Sequence, residues 1–133
     1  MKITELLDIR SIALNVSVSS KLETIDTLID LMDASGKITN VKDYKEGILK
    51  RESLSTTGIG EGIAIPHAQV AAVKKPGLAA MTIKNGVDYE SLDGQPVYLC
   101  FMIAAPVDGG NIHLQALAKL STLLMDESFR QKL

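Results

Sequence analysis

Eight consecutive residues, Val97-Tyr98-Leu99-Cys100-Phe101-Met102-Ile103-Ala104, carry no charge. Side chains on a strand alternate between two faces, so a strand with one wet face alternates apolar with polar residues. A continuous run leaves no face for water. It predicts a strand at the centre of a sheet that is covered on both sides. Pro106 ends the run because it has no amide proton to give to a ladder. The run is also well short of the ~20 apolar residues a helix needs to cross a bilayer.

Other segments supply neighbours for that strand. Ile12, Leu14 and Val16 alternate within Ser11 to Val18, which reads as a strand, as do Gly77 to Ile83 and the shorter Gly62 to Ile65. Ser20-Lys21-Leu22-Glu23 has the form of a capping box. Leu22, Ile25, Leu28, Ile29 and Met32 then keep helical spacing until Ser35-Gly36. A second helix is expected from Asn40 to Arg51 or Ser53, with Val41, Tyr44, Ile48 and Leu49 facing inward. Gly47 inside it costs about 1 kcal/mol relative to alanine. Ile3 to Leu7 is read as a short helix, Asp93-Gly94 as a turn, Asp108 to Asn111 as a loop and Ile112 to about Asp126 as a last helix. Alternating strands and helices predict an α/β domain with its sheet sandwiched between helices.

The 133 residues suit one domain with a single core. A net charge of -2 gives no basic excess for a nucleic-acid backbone. Cys100 is the sole cysteine, so no intrachain disulfide forms and the chain reads as intracellular and cytoplasmic. Its place in the apolar run marks it as a buried hydrophobe. Two histidines and one cysteine without short paired spacing do not make a structural zinc site. The glycines match neither a P-loop nor a dinucleotide fingerprint.

Those glycines stand in Thr57-Gly58-Ile59-Gly60-Glu61-Gly62-Ile63-Ala64-Ile65-Pro66-His67. The proline fixes its own φ and pushes Ile65 toward extended backbone, a rigid approach to an imidazole. This string, with Arg51-Glu52-Ser53 before it and Asn111-Ile112-His113-Leu114 after it, resembles the EIIA domain of the fructose/mannitol type (type 2) of the bacterial sugar phosphotransferase system. The likeness covers essentially residues 1–133. It implies a mixed sheet with helices on both sides. It also implies that His67 accepts a phosphoryl group from the phosphocarrier HPr and passes it to an EIIB domain, without metal or organic cofactor. The family usually continues beyond the last five residues here, and fructose-type EIIA domains commonly open a polypeptide that goes on to EIIB and a membrane-embedded EIIC. Whether these residues belong to such a longer chain stays open.

Each candidate has a plain structural reading beside the functional one. Imidazole is nucleophilic near neutral pH and forms a labile phosphoramidate, which suits His67 to a relay; alone, it would read as an ordinary turn histidine. His113 heads an apolar stripe and fits a core position, yet it lies in a first helical turn where amides favour an anion. The resemblance makes it a partner that orients phosphate. Arg51 complements the dipole of its helix end, and by resemblance its guanidinium neutralises the phosphoryl group. Glu52 either orients Arg51 or is solvated. Thr57 is the hydroxyl expected to bind phosphate, though it could equally shape the loop. Ile59, Ile63 and Val70 are expected as an exposed apolar rim for HPr, with Glu61 meeting a cation. The other functional class is a regulatory module of the nitrogen branch, whose phosphorylation changes what it binds.

Overall fold

The computed structural model describes residues 7–75 and 77–107. Along the chain run β1 (Leu7–Val16), α1 (Lys21–Ala34), α2 (Val41–Leu54), β2 (Gly58–Gly60), β3 (Ile63–Ala64), β4 (His67–Gln69), β5 (Gly77–Val87) and β6 (Val97–Ala105). The six strands form one mixed sheet in the order β1-β5-β6-β3-β2, and β4 also pairs with β6. β5 runs antiparallel to β6, whereas β3 and β4 run parallel to it and β1 runs parallel to β5.

The apolar run is therefore the middle strand, as expected. Cys100 to Ala105 are buried, but Tyr98 is half exposed, so cover on both faces fails near the start of β6. The strand read from Ser11 begins at Leu7 and stops at Val16. Leu7 thus belongs to a strand and not to the short helix read over Ile3 to Leu7, whose other residues lie outside the described ones. Near the end of β1, Asn15 takes φ 56° and donates its amide to Thr82 Oγ1 at 2.7 Å, beside a register shift. Asparagine tolerates that backbone better than most residues.

Ser20 caps α1 by accepting the amide of Glu23 at 3.1 Å, and Asn40 caps α2 by accepting that of Asp43 at the same distance. Ile25, Leu28, Ile29 and Met32 of α1 and Tyr44 and Ile48 of α2 join Ala79, Met81, Cys100, Met102 and Ala104 in one core. The alternation along β5 and β6 places these sheet residues on one face, so both described helices pack on the same side. Leu78, Phe101 and Ile103 are buried on the other face. The helix read over Ile112 to Asp126 lies outside the described residues. Val41 and Leu49, expected inside, are both more than a third exposed. Val41 opens its helix, and Leu49 is turned 100° from Ile48 around it, off the buried stripe.

Gly47 brings α2 against β4. A Cβ built there would stand 2.7 Å from Val70 Cγ1 and 3.3 Å from Ala68 Cβ. The propensity cost of this glycine is offset by the close approach it allows. Beside it, the buried Tyr44 hydroxyl donates to the Ile103 carbonyl at 2.9 Å, tying α2 to β6. Gly47→Val is therefore expected to destabilise the domain by about 1–3 kcal/mol in urea denaturation, in spite of removing a helix glycine. Cys100 is fully buried and its thiol is pushed up to about 12 by that burial, with the Glu52 carboxylate adding to the effect. A thiol reagent at pH 8 should label it only at the rate of unfolding; fast labelling of the native protein would contradict this placement.

Candidate functional site

The glycine string folds as a tight hairpin followed by a strand. β2 and β3 pair antiparallel around Glu61 and Gly62, whose φ values are 56° and 79°. Two successive positive φ angles are what a type I′ turn requires. Glycine meets this without strain. Glu61 does not, and its amide is held by Asp93 Oδ2 at 3.0 Å. The amides of Gln95 and Glu61 hold the Asp93 carboxyl below the usual carboxylate range. The tie is thus present at neutral pH and is lost as pH falls through that lowered value.

β3 and β4 are two parts of one course along β6. Ile63 and Ala64 stand opposite Leu99 and Cys100, and His67 to Gln69 opposite Ile103 to Ala105, with the same offset throughout. Between them the ladder changes partners. The Ile65 amide turns to the Thr57 carbonyl at 3.0 Å, and the Pro66 carbonyl accepts the Ile103 amide at 3.0 Å. The Ile65 carbonyl lies 2.9 Å from His67 Nδ1. A carbonyl can only accept, so Nδ1 carries the proton and Nε2 is the nitrogen with the lone pair.

The partly exposed His67 lines an open groove of about 400 Å³ between α2 and β4. Lys50, Arg51 and Leu54 line its helical wall, with Gly47 behind them; Gln69 and Val70 continue the strand wall. Gly47, Lys50, Arg51 and Leu54 stand at i, i+3, i+4 and i+7, one face of the helix. That periodicity was the available signal for Lys50 and Leu54, which the sequence analysis missed. Arg51 donates to the Ser55 carbonyl at 2.9 Å and lies 3.4 Å from the Ser55 hydroxyl. The groove thus pairs an imidazole with two cationic side chains.

Glu52, next to Arg51, points elsewhere. Its side chain is 5% exposed and forms an ion pair with Lys21 at 3.1 Å. It accepts the Thr57 amide at 3.2 Å and also the Thr57 hydroxyl. The Thr57 oxygen lies 3.4 Å from the Tyr89 hydroxyl, and the Lys21 ammonium sits 4.9 Å over the Tyr89 ring. Burial first, and then the Glu52 carboxylate, raise the Tyr89 hydroxyl well above its ordinary range. Glu52 is neither solvated nor in contact with Arg51 through any of these bonds. Lys21 and Tyr89 carried no sequence signal, because they come from elements far apart in the chain.

Of the predicted residues, His67 and Arg51 meet in one groove. Thr57 does not line it; it is buried with its hydroxyl committed to Glu52. Ile63 is 3% exposed and cannot form a rim, since β3 is packed on β6. Val70 does line the groove, and Glu61 is exposed at the hairpin. His113 lies outside the described residues, and the side chain of Ile59 is not described.

The described residues form a mixed-sheet α/β domain that sets a histidine and an arginine in one open groove. Residues 5–133 match the family model for the phosphoenolpyruvate-dependent sugar phosphotransferase system, EIIA 2. The chain is 55% identical, over its whole length, to the PTS system fructose-specific EIIABC component of Bacillus subtilis, of which it spans 21%. It is 40% identical to the fructose-specific EIIA component of Haloferax volcanii, over 92% of this chain and 79% of that one. Among solved structures, the nitrogen regulatory protein IIA-Ntr from Neisseria meningitidis superposes with TM-score 0.88 at 32% identity, covering 97% of this chain and 88% of that one. The complex of mannitol enzyme IIA with phosphorylated enzyme IIB from Escherichia coli gives 0.77 at 29% identity, covering 92% and 85%. The chain belongs to the type 2 EIIA family of the phosphotransferase system, and as such is a phosphotransferase component.

Both hydrogen bonds of Arg51 are exposed, so its contribution to folding is small. Arg51→Gln is expected to shift the unfolding free energy by less than about 0.5 kcal/mol. A loss of several times that in thermal or urea unfolding would make Arg51 a structural residue.

Proposed function

We propose that His67 Nε2 takes a phosphoryl group from phospho-HPr and yields it to a cysteine of an EIIB domain, for uptake of fructose or a related sugar. The observation that carries this reading is the Nδ1–H bond to the Ile65 carbonyl in a groove shared with Arg51. In this tautomer Nε2 attacks phosphorus without first losing a proton. The donor's N–P bond breaks as the Nε2–P bond forms, and the ring's new positive charge is stabilised through Nδ1–H and the carbonyl. The transferring group is loose and spreads its charge over three oxygens, which a guanidinium can hold in pairs. In the second step an EIIB thiolate attacks the same phosphorus; the S–P bond forms as the Nε2–P bond breaks, and Nε2 keeps the electron pair, which returns His67 to its starting tautomer.

The fructose assignment rests on the 55% identity to the Bacillus subtilis relative, against 32% to the nitrogen regulatory structure. That relative's name joins EIIA, EIIB and EIIC, so EIIB and EIIC on the same polypeptide are part of the proposal. In that assembly the domain works on the cytoplasmic side of EIIC; separately, no described helix is long and apolar enough to cross a membrane. His113 enters as the second histidine that orients the phosphoryl group, on the strength of the sequence resemblance.

Incubation with phosphoenolpyruvate, Enzyme I and HPr should add one phosphoryl group, seen by intact-protein mass spectrometry. His67→Gln should add none, and Arg51→Ala should slow the transfer roughly 10²-fold, the cost of losing one donor to a developing charge. His113→Gln should slow it as well. A His67→Gln protein phosphorylated at the wild-type rate would remove this reading. Transfer to His67 without onward transfer to any EIIB would move it to the regulatory branch.

A further inference from the structure

The ion pair of Lys21 with Glu52 is in an unfavourable place for stability alone. Glu52 lies in the last turn of α2, where the helix dipole disfavours an anion, and it is almost fully buried. A carboxylate there is held by Lys21, from the first turn of α1, and by two donors of Thr57. Those bonds fix the orientation of Thr57, whose carbonyl receives the Ile65 amide at 3.0 Å. The Ile65 carbonyl in turn receives His67 Nδ1–H at 2.9 Å. The connection from Glu52 to the imidazole is continuous: carboxylate, Thr57, Ile65, ring.

We infer that Glu52 is a positioning residue for His67, setting through Thr57 and the Ile65 peptide which ring nitrogen keeps the proton. The inference rests on the proposed chemistry at His67 for its kinetic consequence, but not for its effect on the ring. The amide and the carbonyl of Ile65 lie on either side of its Cα, and Pro66 confines the torsions of the residue before it to extended backbone, so holding the amide on Thr57 narrows the directions in which the carbonyl can meet the imidazole. A histidine's tautomer is set by the hydrogen bond made by its other nitrogen. The arrangement divides labour between adjacent residues of one helix turn. Arg51 faces the groove, while Glu52 faces Thr57 at the foot of the hairpin. Tyr89 closes the cluster with its ring under the Lys21 ammonium.

The test reads the ring and the rate separately. Two-dimensional 1H–15N spectra report the tautomer of His67 directly, in the unphosphorylated protein and without any partner. Wild type should show the Nδ1–H form dominant. Glu52→Ala and Thr57→Val should shift the ring toward a mixture of tautomers, with transfer from phospho-HPr slowed at least tenfold and up to about 10²-fold, the cost of a misplaced reacting group. Thr57→Ser keeps both donors to Glu52 and should recover the wild-type tautomer and most of the rate. Folded variants that keep the Nδ1–H tautomer overturn the inference, whatever their rate. If Glu52→Ala fails to fold, Thr57→Val, which removes only the hydroxyl link, decides the matter. A tautomer shift in a protein whose wild type takes no phosphoryl group from HPr would retain the positioning role and remove the proposed relay.

Discussion

One strand governs this domain. β6 pairs with β5 along one edge and with both β3 and β4 along the other, and the second pairing keeps a single register across the Ile65-Pro66 step. Had the ladder slipped by one residue there, every side chain beyond the proline would have changed face. His67 would then point away from α2. The proline contributes by what it lacks. With no amide on Pro66, and with the Ile65 amide turned to Thr57, the backbone at this step serves the hairpin and the imidazole as well as the sheet.

From this geometry follows the separation of tasks in α2. Its Tyr44 and Ile48 enter the core, its Gly47, Arg51 and Leu54 face the groove, and its Glu52 reaches the ion pair with Lys21. Three functions share one helix because 100° per residue lets neighbouring side chains point to different surroundings. The close approach at Gly47 makes this compatible with packing on β4. A helix held farther off would leave Arg51 and His67 on opposite sides of a wider gap.

Legibility in the sequence followed the range of the forces involved. The central strand, the cap at Ser20, the start of α2 at Asn40 and the buried stripe of α1 were readable because each depends on residues close together in the chain. β2 and β4 were not assigned, since strands of three residues carry too little periodicity to declare themselves. The pairing of His67 with Arg51 came from resemblance, and it is consistent with the shared groove. For Thr57 the sequence left two readings, a hydroxyl that binds phosphate and one that shapes the loop, and its bond to a carboxylate was not legible. Here the partner is Glu52, five residues back and on another element. Ile63 was expected at the surface although Gly62 to Ile65 was read as a strand, because so short a strand does not tell which of its faces is covered; packing on β6 buries it.

The buried cysteine has a consequence of its own. Thiol oxidation proceeds through the thiolate, and a thiol whose titration is displaced to about 12 exposes only about one molecule in 10⁵ as thiolate at pH 7. Cys100 has in addition no surface at which peroxide or glutathione could reach it. Through its one cysteine the native domain therefore offers oxidants no point of attack, and oxidative stress that changes the exposed thiols of other proteins leaves this one as it was.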